Sequence, residues 1–379
     1  MIVIIIECPS PYHTPALNRL HEELGDRVCV FYLEKADTVR GWGEVAATHR
    51  YVVLGDAAGW MTLLRALSSP KLAAVCVYGY RGLARLVAAN VARLRRIPLL
   101  LRGAANVRDE WSRSAMRQRL KRRYLRTVLG QPEVWTNGAA NTAYWHMVGL
   151  HRHYTIPYAL HQLPGNESGA AALRAELGVG NRFTFAFVGR LEPIKGIADL
   201  LRAYDLVRAQ TPAGSTALVI VGSGSLEPDI RRYAEAVDDC HYLGPIPQER
   251  LGAVYAAADL FVAPSHREPW GWVINEALGF GTRVIASVEM AAADDLCTEE
   301  NGRRCPVADP EALAREMLAE YHAGPRRAPR LECIDTGRIM ADRLRVLARI
   351  EVPPQPGPED APRTSGATSR PDMAQPHGG

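Results

Sequence analysis

The sequence predicts an α/β protein of two domains, each built on a parallel sheet covered by helices on both faces. Short runs of unbroken apolar residues, beginning with M-I-V-I-I-I at the start of the chain, alternate with segments of helical apolar spacing. Strands that stay apolar on both faces belong to sheets with helices on either side. At 379 residues the chain is long enough for two separate cores. The stretch L-P-G-N-E-S-G at 163–169 has linker composition and divides it.

In the first domain, placed at 1–160, residues 1–8 read as a buried strand running into the loop P-S-P-Y-H-T-P. Residues 15–24 have helical spacing, and 28–33 form a second strand. Strands at 51–54, 73–78 and 98–101 then alternate with helices near 60–67 and 83–94. His13 lies in the loop after the first strand, where a parallel sheet meets its ligand, so it is a cleft candidate. A structural or solvated histidine is the commoner outcome for such a position. Arg102 follows the strand at 98–101 and is a second cleft candidate, with a surface ion pair as the competing reading. Residues 113–126 (R-S-A-M-R-Q-R-L-K-R-R-Y-L-R) carry many bases and no acid. At helical spacing Met116, Leu120, Tyr124 and Val128 make one apolar stripe, which leaves the bases on the other faces. A solvated helix accounts for this, and peripheral contact with membrane headgroups or an anionic acceptor is the functional alternative. A short strand at 133–136 precedes Asn137, a candidate helix cap, and Tyr144 and Trp145 read as core. The hinge is expected between Tyr158 and Gly169.

The second domain, placed at 170–335, opens with a helix near 170–177 and the strand 183–188 (F-T-F-A-F-V). The chain turns at Gly189, and Arg190 and Lys195 follow in the loop and at the start of a helix taken to run to 209. Cations beyond the carboxyl end of a strand are where an open parallel sheet binds anions. A strand at 217–221 ends in Gly222-Ser223-Gly224, where the backbone can approach a ligand closely. A short strand ends at His241–Gly244, and a helix at 251–258 leads to the strand 259–263. The loop and helix that follow carry Glu268, Gly271, Trp272 and Glu276. Two glutamates eight apart read, on their own, as a solvated helix face. Flanking a helix N-terminus, they suit a ligand with polyol at both ends and a diphosphate between, which describes a nucleotide-sugar. A strand at 283–286 and helices at 310–321 and 337–350 complete the chain. The tail at 352–379 is rich in Pro, Gly and Ser and is expected to be disordered.

Five stretches combine into one pattern. They are G-R-L-E-P-I-K-G at 189–196, V-G-S-G at 221–224, H-Y-L-G at 241–244, A-A-A-D-L-F-V-A-P-S at 256–265 and E-P-W-G-W-V-I-N-E-A at 268–277. In order and spacing they resemble the retaining glycosyltransferases of family 4, the glycosyl transferases group 1, over roughly the second half of the chain. The first half matches only in general pattern.

The resemblance implies the GT-B fold: two Rossmann-like, doubly wound parallel-sheet domains facing a central cleft, with a C-terminal helix, here 336–351, crossing back to the first domain. It implies transfer of a sugar from a nucleoside diphosphate sugar to an acceptor, with retention by front-face attack and without a metal or other cofactor. Arg190 and Lys195 would hold the departing diphosphate and Glu268 the sugar hydroxyls. Gly189, Gly222, the backbone around Ile246 (base), Gly271, Trp272 and Glu276 (ribose) would complete the donor site. Family members often carry glycines in the loop after the first strand, where this chain has prolines. The alternatives are another nucleotide-sugar reaction on the same fold, such as epimerisation or hydrolysis, or a non-catalytic nucleotide-sugar-binding partner subunit.

A formal charge of +4 is too mild to imply nucleic acid. Seven cysteines without a C-x-x-C pair are expected to be reduced, buried thiols. No stretch reads as a signal peptide or membrane span. The expectation is therefore a cytoplasmic protein, or one peripheral on the inner membrane face. The Ala- and Arg-rich usage fits a GC-rich bacterial gene.

Overall fold

Among the described residues every strand pairing is parallel, in two separate sheets. The structure, a computed structural model, describes residues 1–36, 45–108, 114–158 and 167–350. Most of the expected hinge between Tyr158 and Gly169, Arg113 of the basic segment, and the tail at 352–379 lie outside the described residues.

The first sheet holds β1 (Ile2–Ile6), β2 (Val28–Tyr32), β3 (Tyr51–Val53), β4 (Ala74–Tyr78), β5 (Leu99–Arg102), β6 (Glu133–Thr136) and β7 (His153–Thr155). Their order is β3-β2-β1-β4-β5-β6-β7. Helices α1 (Thr14–Leu24), α2 (Ala57–Ser68), α3 (Leu83–Leu94), α4 (Ala115–Leu129) and α5 (Ala139–Met147) connect them. The second sheet holds β8 (Phe183–Val188), β9 (Thr216–Val221), β10 (Cys240–Tyr242), β11 (Leu260–Ala263), β12 (Arg283–Ser287) and β13 (Gly302–Cys305). Its order is β10-β9-β8-β11-β12-β13. Around it lie α6 (Glu167–Glu176), α7 (Ile197–Arg208), α8 (Glu227–Ala236), α9 (Gln248–Ala257), α10 (Trp272–Gly279), α11 (Ala291–Leu296) and α12 (Pro310–Ala323).

The unbroken apolar strands have a direct cause. In β1, Ile2, Ile4 and Ile6 enter one core with α1, while Val3 and Ile5 enter another with α2 and α3. Successive side chains point to opposite faces, and here both faces are covered. Strand order reverses direction between β1 and β4, and again between β8 and β11. In open α/β sheets these switch points are where ligands bind, outside the carboxyl ends of the strands.

The last helix, α13 (Thr336–Leu347), leaves the second domain and packs in the first. Met340, Ala341 and Leu344 are buried with Ile2, Leu17 and Leu20. Arg343 forms an ion pair with Glu133 at the start of β6, and Arg345 meets Glu23 at 2.7 Å. Gly337 allows the close approach of α13 to α1, because a Cβ there would lie 2.5 Å from the carbonyl oxygen of Ala16.

Several expectations need correction. In α4 the apolar stripe is exposed over its first three residues, Met116 at 71%, Leu120 at 61% and Tyr124 at 40%, while Val128 is half-buried against the core. The helix packs instead through Leu125 and Leu129, and Arg93 of α3 donates to the carbonyls of Thr127 and Val128 near its end. Asn137 does not cap α5. Gly138 takes that position, because a Cβ there would meet Asp295 Oδ2 at 2.3 Å and the Trp270 ring at 2.9 Å. Lys195 lies in a 3-10 turn, Pro193–Lys195, that Gly196 separates from α7. All seven cysteines are free, but Cys333 is exposed.

In the second domain, Glu320 of α12 is buried among three arginines. It accepts from Arg283 Nε at 2.7 Å, Arg303 Nε at 2.7 Å and Arg326 Nη2 at 3.1 Å. Burial alone would raise its pKa, but these donors hold it at about 2, below the ordinary 4.5. A depressed folded pKa contributes stability that is complete above the ordinary carboxylate range and is lost as pH falls from 4.5 toward about 2. Glu320→Gln leaves Arg283 buried without its anion. It is expected to cost about 3–5 kcal/mol at neutral pH, with the gap to wild type closing in that acid window in urea titrations.

Candidate active site between the two sheets

The loops at the carboxyl ends of the two sheets meet. From the first sheet come Tyr12 and His13 after β1, Asn106 and Arg108 after β5, Gly138 and Ala139 after β6, and Tyr158 after β7. From the second come residues 264–272 after β11 and 288–295 after β12. Tyr12 stacks on Trp272 with ring centroids 4.6 Å apart, and Tyr158 contacts Trp272 at 4.3 Å and Trp270 at 5.4 Å. Asn106 donates to the carbonyl of Pro269 at 3.1 Å, and Arg108 meets Asp294 at 2.5 Å. The Ala139 amide donates to Asp295 at 3.1 Å.

Within the second domain the site is built on β8 and β11, neighbours at the switch point although some seventy residues separate their loops. Gly189 ends β8, and Gly222 ends β9 directly against it. Gly222 has φ +137°, and a Cβ there would lie 1.8 Å from the Gly189 carbonyl oxygen, so no side chain fits. Glu192 ties the two loops together by accepting from the amide and the hydroxyl of Ser225, and these bonds lower its pKa. The loop after β11 is fixed by His266, whose amide donates to the Ile194 carbonyl and whose ring meets Asp199 at 2.5 Å. Trp270 Nε1 donates to Asn275 Oδ1 at 2.9 Å. Gly271, with φ +105°, is the N-cap of α10, and a Cβ there would run into Met290 at 2.5 Å.

Lys195 forms a direct ion pair with Glu268, both half-buried, although sequence reasoning assigned them to different parts of a ligand. Arg190 is exposed and has no ion pair among the described residues. No side chain caps α10 and its first turn holds no acid, while the Glu268 side chain lies against the N-cap Gly271, 3.3 Å from where a Cβ would stand. Ile246 lies half-buried in the loop after β10. Glu276 is buried one turn inside α10 and accepts from the Tyr255 hydroxyl at 2.6 Å. Burial pushes its pKa above 4.5 against the lowering effect of that hydrogen bond, and burial with Glu276 as neighbour pushes Tyr255 well above its ordinary value.

In the first domain, His13 sits among aromatic rings, 5.4 Å from Tyr78 and 5.9 Å from Tyr158. Arg102 is no surface ion pair. It is 3% exposed, it has no ion pair among the described residues, and its guanidinium lies over the rings of Tyr158 (5.2 Å) and Tyr78 (6.0 Å). Sequence reasoning missed Tyr12, Tyr158, Asn106 and Arg108 on this side, and Tyr255 and Asp295 on the other. Only Tyr12, next to His13, carried a local signal.

Residues 182–322 match the family described as Glycosyl transferases group 1. The D-inositol 3-phosphate glycosyltransferase of Corynebacterium glutamicum (strain R) is 37% identical over 132 residues, 33% of this chain and 32% of that protein. The enzyme of the same name from Thermomonospora curvata is 33% identical over 174 residues, 43% and 40% of the two chains. The chain thus spans about a third of the length of the first such relatives. Over nearly its whole length it shares its fold with Anabaena HepE in complex with UDP and glucose, at a TM-score of 0.65 and 19% identity, covering 91% of this chain and 99% of that one. WaaG, a glycosyltransferase involved in lipopolysaccharide biosynthesis, aligns at a TM-score of 0.60 and 14% identity, covering 92% and 98%. The two parallel-sheet domains with opposed carboxyl edges are the GT-B fold.

Glu276 has a folded pKa raised above its unfolded value, so the folded chain binds the extra proton and stability falls as pH rises above 4.5. Glu276→Gln keeps an acceptor for Tyr255 and removes the buried charge. It is expected to melt at or above the wild-type temperature at pH 7, with the difference shrinking toward pH 4.5 in thermal scans.

Proposed function

We propose that the chain is a retaining glycosyltransferase that moves a sugar from a nucleoside diphosphate sugar to an acceptor hydroxyl. The observation that carries this reading is the cluster at the β8–β11 switch point. Within one loop pair it sets the cation of Lys195 against the carboxylate of Glu268, beside the uncapped end of α10 and one helix turn from buried Glu276. A diphosphate placed there meets positive charge, and the polyol on either side of it meets a carboxylate.

The roles follow from the chemistry. As the bond between the anomeric carbon and the donor oxygen breaks, negative charge grows on the diphosphate. Arg190, Lys195 and the positive end of α10 stabilise that charge where it develops. The Lys195 ammonium has three donors, so pairing with Glu268 leaves two for phosphate oxygens. Glu268, oriented by that pair, accepts from sugar hydroxyls and is not assigned as a nucleophile. Ribose hydroxyls donating to Glu276 would supply hydrogen bonds that Tyr255 alone does not. Because side-chain cations carry the leaving-group charge, no metal is assigned to the reaction. The acceptor proton passes to a donor phosphate oxygen on the face from which the diphosphate departs.

A panel of nucleotide-sugars, assayed for transfer and hydrolysis, tests the reading. Arg190→Ala is expected to lower turnover about 10²- to 10³-fold, wild-type rates are expected to be equal with and without EDTA, and the anomeric configuration of the product should match the donor. Undiminished turnover by Arg190→Ala sinks the assignment.

Contact with a membrane surface is proposed through α4. Met116, Leu120 and Tyr124 stand exposed beside the exposed Arg117, Arg119, Arg123 and Arg126, with no acid on the helix. Such a face suits anionic headgroups, at about 1 kcal/mol for each base near the surface. Among the described residues no helix is long and apolar enough to cross a membrane. Co-sedimentation with vesicles containing phosphatidylglycerol, absent with phosphatidylcholine alone and weakened in Arg119→Glu/Arg123→Glu, is the expected result.

A further inference from the structure

Among the described residues of the first domain, the guanidinium of Arg102 is the most heavily buried charge without an opposite charge. It hangs from the carboxyl end of β5, where its Nη2 donates to the Ile156 carbonyl at 3.2 Å. Its Nε and Nη1 are buried and have no hydrogen-bond partner among the described residues. One strand along, at the end of β6, Asn137 is 5% exposed. Its amide lies beside the Tyr158 hydroxyl, yet Oδ1 and Nδ2 are likewise without a partner in hydrogen-bond geometry among the described residues. Two polar side chains at adjacent strand ends thus hold donors in reserve on the cleft edge of the sheet. The Tyr158 ring touches both the guanidinium and Trp272 of the facing domain.

A buried charge without a partner is among the costliest arrangements in a protein interior, and removing such a group is commonly neutral or stabilising. Stacking on Tyr78 and Tyr158 favours a cation but satisfies none of its N–H donors. Nε and Nη1 face different edges of the guanidinium, and the Nη1 donors, on the edge shared with Nη2, are the ones placed to receive an oxygen of a phosphate or carboxylate. We propose that Arg102, assisted by Asn137, binds an anionic group, phosphate or carboxylate, carried by the acceptor substrate. Assignment to the acceptor rests on the glycosyltransferase reading, in which the donor diphosphate is held by Arg190 and Lys195 on the opposite domain. Arg102 belongs to the other sheet and is left for the second substrate. The site would select acceptors bearing an acid near the hydroxyl that receives the sugar.

Inorganic phosphate is the probe, titrated calorimetrically into the full chain with and without saturating UDP. Wild type is expected to bind phosphate with UDP already in place. Arg102→Met should weaken that binding about tenfold or more, as expected for a lost charge-assisted hydrogen bond, while UDP affinity stays within about twofold. Arg190→Ala should show the reverse, losing UDP and keeping phosphate. Arg102→Met is expected to melt with the wild type in phosphate-free buffer, since the charge it removes has no counter-ion. Should it fail to fold, Asn137→Ala carries the test, with phosphate affinity expected to fall about threefold or more for a lost hydrogen bond. Equal phosphate affinity in wild type and the folded variant overturns the proposal. So does a loss of UDP affinity in Arg102→Met matching that of Arg190→Ala, which would assign the anion to the donor. If wild type binds none of UDP, GDP and ADP, the glycosyltransferase reading fails separately, and the phosphate comparison of Arg102→Met with Arg190→Ala, run without nucleotide, still decides the Arg102 site.

Discussion

A parallel strand can be followed by a parallel neighbour only after the chain has crossed back over the sheet, so every loop leaving a carboxyl end falls on the same edge. That constraint places Gly189, Arg190, Lys195, Glu268 and Gly271 together although their loops are distant in sequence. It places His13, Arg102, Asn137 and Tyr158 on a matching edge of the first sheet. The remaining requirement is that the two edges face one another. Helix α13 contributes by joining the second domain to the first domain's core through Met340, Ala341 and Leu344, with Arg343 and Arg345 fixing its direction. At the cleft itself the Tyr–Trp ring pairs and Arg108–Asp294 set the approach.

Charge burial separates groups that hold the fold from groups available for a ligand. Glu320 and Glu276 are both buried glutamates of the second domain. Glu320 has three arginines and a pKa held at about 2, and at neutral pH it stabilises the fold. Glu276 has one tyrosine and no cation, and burial raises its pKa, so at neutral pH the fold bears its cost. Arg102 is the cationic counterpart of Glu276 on the opposite sheet. A buried charge whose partners are incomplete within its own chain is the pattern expected where binding supplies the rest.

The strands at the centres of both sheets were legible because burial on two faces requires unbroken apolar runs. Edge strands escape that requirement: β13 reads G-R-R-C with Arg303 and Arg304 exposed, and β7 reads H-Y-T with two exposed residues, and neither was identified as a strand. The loops after β8 and β11 were legible because their residue order is distinctive. Their mutual geometry was not, since the Lys195–Glu268 pair spans 73 residues and depends on β8 and β11 being neighbours. The outward face of α4 was not legible for a related reason. Helical spacing shows that Met116, Leu120 and Tyr124 share a face, but only tertiary packing through Leu125 and Leu129 decides which face is covered. Arg102 was found by its position at a strand end, while its burial between two rings could not be read from neighbours in sequence.

The contacts across the cleft are modest compared with those that anchor α13. Each aromatic pair contributes about 0.5–1.5 kcal/mol beyond its buried area, and a partly exposed ion pair such as Arg108–Asp294 adds about 1 kcal/mol or less. Beyond the area they bury, the ring pairs among Tyr12, Tyr158, Trp270 and Trp272 therefore add a few kcal/mol, and a micromolar ligand supplies about 8 kcal/mol. Helix α13, whose apolar residues are integral to the first core, joins the domains independently of those rings. Trp272 stands at the junction of both demands. Its ring closes the cleft against Tyr12 and Tyr158, and its backbone begins the helix whose positive end would meet the diphosphate, so opening the cleft and exposing the donor site would be one movement.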